Sequence, residues 1–153
     1  MNQNKFKFIL VLLALSLCAI FISAMAWSFD SKADYLSEMY DNINTLGKTI
    51  EAFNSLLDDS DLDALWVQRM DACMFLFGDI VDQARSITPP RAFSKSHAEY
   101  MRAMDELDAF RYNFIAGFNT RNEVLVGQAQ MCWDRMFDSL RRYSEILLLE
   151  AGK

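Results

Sequence analysis

The sequence predicts an all-α protein, an up-down-up-down four-helix bundle preceded by an N-terminal hydrophobic signal or anchor helix. Three observations carry this. The 153 residues are 52% hydrophobic, with 12 Phe and 9 Met against only 5 Gly and 2 Pro, which suits long helices better than a β fold with its frequent turns. The chain opens on one apolar run. Beyond that run, apolar residues recur at helical spacing in four segments.

The leader has the layout of an export signal. Lys5 and Lys7 precede an apolar stretch from Phe8 to Ile22 broken only by Ser16, and Ser23-Ala24-Met25-Ala26 supplies the small residues that signal peptidase reads. Residues 1–26 are therefore expected to be a signal peptide cleaved after Ala26 or an uncleaved membrane anchor. Counted through Trp27, the apolar run is about 20 residues, enough at a 1.5 Å rise to cross ~30 Å of hydrocarbon with Trp27 at the interface. Cys18 does not fit a lipid-attachment site, since Leu17 stands where a small residue is needed and the apolar run continues past it. With Lys5 and Lys7 before the run and Asp30 and Asp34 after it, the amino terminus is expected in the cytoplasm. Residues 27–153 then lie outside, in the periplasm, at the cell surface or secreted.

That remainder has room for one domain with a single core. It holds all 21 acidic residues and every basic residue except Lys5 and Lys7. So acidic a surface repels phosphate, which argues against nucleic acid and anionic lipid headgroups and favours a basic protein as partner.

Four helix starts are expected from capping pairs, in which a Ser or Thr precedes an acid by three positions: Ser31 and Asp34, Ser60 and Asp63, Ser96 and Glu99, Thr120 and Glu123. The first helix, about 31–58, carries the seam Leu36, Met39, Ile43, Leu46, Ile50, Phe53 and Leu57 at alternating spacings of three and four. The second, about 61–87, runs through Leu62, Trp66, Cys73, Leu76, Ile80, Ala84 and Ile87 until Pro89-Pro90 stops it. A third, about 97–118, turns Tyr100, Met104, Leu107, Phe114 and Phe118 inward and ends near Gly117 and Asn119. The fourth, about 121–150, carries Leu125, Cys132, Met136, Tyr143 and Leu147. Short connections at 58–60 and 118–120 make neighbours antiparallel.

Few residues offer chemistry. Cys73 and Cys132 fall at equal depth in helices two and four, so in an oxidising compartment they are open either to a disulfide or to a role as buried thiols; diagonal placement in a square bundle opposes the bond. His97 is the single histidine, too few for a zinc site without cysteine or carboxylate help, and it is expected as a neutral, partly exposed ring in the first turn of helix three. A haem held between His97 and a methionine such as Met39 is the cofactor alternative, although no Cys-x-x-Cys-His attachment motif is present. The remaining methionines read as core filling.

Apolar width exceeds what a minimal bundle needs. Helix four has a second stripe of Val126, Trp133, Phe137 and Leu140, is apolar all round from Ile146 to Leu149 with Leu148 outward, and helix two projects Phe75 among Gln68, Asp71, Asp79 and Asp82. Phe75, Val126, Trp133, Phe137, Leu140 and Leu148 are therefore expected to form an interface.

Pro89-Pro90 followed by His97, Tyr100 and Ala103 resembles a segment of about 15 residues found in uncharacterised exported helical-hairpin proteins. The resemblance implies a helical hairpin around the connector 88–95 and brings no activity with it. The function expected is that of a non-enzymatic extracytoplasmic module acting by protein–protein contact, as an accessory, structural or inhibitor-like component. It would bind a partner protein or a second copy of itself, need no cofactor, and touch the membrane only through an uncleaved leader. The alternative is a small-molecule or haem-binding sensor bundle with a Met- and Phe-lined pocket.

Overall fold

The computed structural model describes residues 30–152, apart from 60 and 62. The leader, its cleavage site after Ala26, Cys18, Ser60 and Leu62 lie outside the described residues. The chain is all-helical: α1 (Asp30–Leu57), α2 (Ala64–Ser86), a 3₁₀ turn (Arg91–Phe93), α3 (Ser94–Thr120) and α4 (Glu123–Ala151), with no strand among the described residues. No described helix is long and apolar enough to cross a membrane.

The periodicity places the helices correctly, but the capping pairs misplace their starts. Helix α2 begins after Asp63, whose own carboxylate accepts from the Trp66 amide at 2.7 Å. Asp63, expected to be the acid that reaches back, is therefore the cap. Helix α4 is capped by Asn122, which accepts from the amides of Val124 and Leu125, while Thr120 ends α3 with its hydroxyl on the Ala116 carbonyl. Ser31 lies within α1, which starts one residue earlier, so it is not the residue before the helix.

Helix α3 has no side-chain cap of its own. Its free amides are satisfied by another helix: the Glu150 carboxylate, near the end of α4, accepts from the amides of Lys95 and Ser96 at 3.3 and 3.1 Å. A negative charge at a helix amino terminus is favourable electrostatically as well as by hydrogen bonding. Ser96, expected to be the cap, instead turns its hydroxyl back to the Phe93 carbonyl. The tie between Ser96 and Glu150 spans 54 positions, so no local pattern could reveal it.

The α3–α4 connection also departs from expectation. Gly117 and Asn119 do not stop α3; the helix runs to Thr120 and ends where Arg121 adopts a left-handed conformation at φ 53°. The amides of Arg121 and Asn122 then bond the carbonyls of Phe118 and Gly117, a closing pattern that normally uses glycine. Gly117 serves packing instead, because a Cβ there would lie 2.9 Å from the Val126 backbone nitrogen. Replacing Arg121 with glycine is expected to raise stability by about 0.5–1 kcal/mol, the relief of left-handed strain less the added freedom of the unfolded chain. Urea unfolding measures it.

At the centre of the molecule each helix contributes one ring. Phe53 from α1, Phe77 from α2, Phe110 from α3 and Trp133 from α4 touch in all six pairings, from 4.6 Å between Phe110 and Trp133 to 6.2 Å between Phe77 and Phe110. Around them the α1 seam is buried as expected from Leu36 to Phe53, but Leu57 is exposed and Leu56 takes its place. On α2 the inward position belongs to Phe77, and Leu76 is exposed.

Candidate functional site

The structure divides the six expected interface residues. Trp133 and Leu140 are buried, and Phe137 packs against the core with its ring 5.4 Å from that of Trp133. Trp133, Phe137 and Leu140 of the second α4 stripe are thus covered by the chain's own helices, and Val126 is not. The cause is the close approach of α3, the most extensive helix pairing in the molecule, and the reach of Phe53 across from α1. Phe75, Val126 and Leu148 are exposed, but they lie at the middle of α2, the start of α4 and the end of α4, so they make no common face.

Cys73 and Cys132 are free, buried thiols. No Cα of α2 comes within 8 Å of one in α4, too far apart for a disulfide between them. Burial raises both thiol pKa values, and for Cys132 the neighbouring Glu106 carboxylate adds to the rise. Thiols held protonated in this way are poor nucleophiles.

His97 is buried, contrary to the partly exposed ring expected, because Tyr35 covers it. The two rings meet edge to face at 5.8 Å, and the Tyr35 hydroxyl lies 3.4 Å from Nδ1. Tyr35 in turn stacks on Phe93 at 5.3 Å. Met39 is fully buried in the core. Burial lowers the His97 pKa, so the folded state holds this ring neutral more strongly than the unfolded state does. As pH falls below the unfolded value of about 6.5, the unfolded chain takes up the proton first and stability drops. Unfolding free energies measured near pH 7 and pH 5 are expected to differ more in the wild type than in His97→Gln.

Deeper in the core Asn42 organises the polar groups. Its amide nitrogen donates to the Ile80 carbonyl at 3.1 Å and to Gln83 at 3.0 Å, while its carbonyl oxygen accepts from the Tyr100 hydroxyl. Tyr143 packs its ring 5.1 Å from that of Tyr100, and its buried hydroxyl has no partner among the described residues. The periodic patterns that locate apolar seams do not mark Asn42. Burial raises the pKa of Tyr35, Tyr100 and Tyr143, so none is a base near neutral pH.

Several exposed apolar residues lie at the end of the molecule opposite this cluster, where α1 ends and α2 begins and where α3 gives way to α4. Trp66 knits that end together: its indole nitrogen donates to the Leu56 carbonyl at 2.8 Å, and its ring lies 5.6 Å from that of Phe118. Around this pin Leu57, Leu65, Phe118, Val124 and Val126 are 44–69% exposed. An open groove at the α3–α4 connection is lined by Gly117, Phe118, Asn119, Arg121, Glu123 and Val126. The same stretches carry Asp58, Asp59, Asp61, Asp63 and Glu123, with Arg121 as their one basic residue. A greasy surface with an acidic rim can bind, but it holds no arrangement of nucleophile and base.

No protein-family model, curated protein or solved structure matches the chain.

Proposed function

We propose that this chain is a non-enzymatic extracytoplasmic protein that acts through protein–protein contact. Residues 1–26 deliver it across the membrane as a cleaved signal or hold it there as an anchor, and the four helices form an up-down-up-down bundle outside. The observation that carries the contact reading is that Leu57, Leu65, Phe118, Val124 and Val126 stand exposed at one acidic end, whereas Tyr35, Asn42, His97, Tyr100 and Tyr143 are spent inside the core. In a protein of this size a hydrophobic surface left open is a common mark of a binding site.

The ties of Tyr35 to His97 and of Ser96 to Glu150 put the start of α1 at the end away from the apolar tip. An anchored chain would therefore present the tip outward from the membrane. The test is crosslinking of the full-length chain in its own cells, followed by mass determination of the adducts. The expected result is a reproducible adduct of fixed stoichiometry, with a partner or with a second copy. A chain that remains uncrosslinked and monomeric while carrying a chromophore would overturn the contact reading in favour of a cofactor-binding bundle.

A further inference from the structure

The tip combines two features that together narrow the kind of partner, and we infer that it docks a basic amphipathic helix or an equivalent cationic, apolar segment of another protein. The inference rests on the contact reading above and adds the surface and its chemistry. Leu57 and Leu65 flank the first connection and Phe118, Val124 and Val126 flank the second, and Trp66 holds the two together through Leu56 and Phe118. An exposed apolar surface of this kind accepts the apolar face of a helix, whose side chains recur every three to four residues.

Charge selects among the segments that could do so. Asp58, Asp59, Asp61, Asp63 and Glu123 face solvent at this end, where Arg121 is the one basic residue of the two connections. An acidic or neutral segment would bury its apolar face only by bringing like charge to this rim, whereas lysine or arginine beside the apolar face is drawn to it. A second copy of the chain is disfavoured by the same rule, since two acidic tips repel. Leu148 and Leu149 are also exposed, but they belong to the other end, beside the start of α1.

The full-length chain is titrated, by fluorescence anisotropy, into a labelled synthetic helix with leucine on one face and lysine on the other. The same helix with glutamate in place of lysine is the comparison. The lysine helix is expected to bind and to weaken as salt rises, and the glutamate helix to bind much less. Leu65→Ser combined with Val124→Ser, both at exposed positions, is expected to weaken the lysine helix about tenfold or more, or 1.4 kcal/mol, with an unchanged circular dichroism spectrum. Asp61→Asn with Glu123→Gln is expected to flatten the salt dependence, while Asp71→Asn with Asp79→Asn, equal in net charge, leaves it intact.

Equal effects from those two charge variants would reduce the binding to overall acidity and overturn the inference. Binding that ignores Leu65 and Val124 would overturn it too, as would a homodimer broken by their replacement; each leaves the broader contact reading standing. A crosslinked adduct that persists in the Leu65→Ser, Val124→Ser chain would likewise move the contact elsewhere.

Discussion

Trp133→Ala is expected to cost about 3–5 kcal/mol, enough to unfold a domain whose whole stability is of order 5–15 kcal/mol. The loss has two parts. One is the cavity left when the largest side chain is removed from a position only 3% exposed. The other is the set of ring contacts with Phe53, Phe77, Phe110 and Phe137, at 5.2, 5.9, 4.6 and 5.4 Å, each type of pair worth about 0.5–1.5 kcal/mol beyond its buried area. Because all four helices meet there, the damage is global. Thermal unfolding followed by circular dichroism should show a large fall in melting temperature. Retained stability with altered oligomeric state would return Trp133 to the surface and contradict the packing described.

The second large effect lies in the Asn42 network. Asn42→Leu is expected to cost about 2–4 kcal/mol, since the branched side chain fills the space but leaves the buried Tyr100 hydroxyl and Gln83 without their partner. Tyr100→Phe alone removes one hydrogen bond and leaves the Asn42 carbonyl oxygen buried, a loss of about 1–2 kcal/mol. With both replaced, little is stranded, so the double variant is expected to lose less than the sum by about 1 kcal/mol or more. Tyr143→Phe supplies the contrast. Its hydroxyl is buried without a partner among the described residues, and removing it is expected to leave stability unchanged or raised. Urea unfolding of all four variants on one day checks the set, and strict additivity between positions 42 and 100 would argue that their bond contributes nothing.

Helix number and core seams were legible because apolar spacing is local. Leu36, Met39, Ile43, Leu46, Ile50 and Phe53 follow the 3.6-residue period and are all buried. Pro89-Pro90 follows the end of α2, and Ile87 has already left helical geometry there. Starts were less legible, because Ser and Asp both cap and the rule cannot choose between them; at 60–63 the aspartate was the cap. Glu150 capping α3 and Asn42 bonding α2 and α3 were illegible in principle, since each joins residues dozens of positions apart.

Of the residues expected at an interface, Trp133 and Leu140 are buried in the chain's own core. A wide apolar face on α4 looks the same in sequence whether another chain or the chain's own helices cover it. Trp133 and Leu140 turned out to face Phe53, Phe77 and Phe110 or their neighbours in the core, because α3 presses close at Gly117 and α1 reaches in with Phe53. Conversely, Leu57 and Phe118 were read as core and are exposed. They sit at the last turns of their helices, where the seam continues in sequence but the neighbouring helices cover it only in part, as where Trp66 meets one side of Phe118.

The proposed function, protein contact outside the cytoplasm, depends first on address. Val124→Cys places a thiol at a 69% exposed tip position, while the native Cys73 and Cys132 are buried and protonated and should react slowly. A maleimide that cannot cross the cytoplasmic membrane, applied to intact cells, is predicted to label the Val124→Cys chain as fully as it does after lysis. Labelling that appears only once that membrane is broken would place the tip in the cytosol and contradict the account.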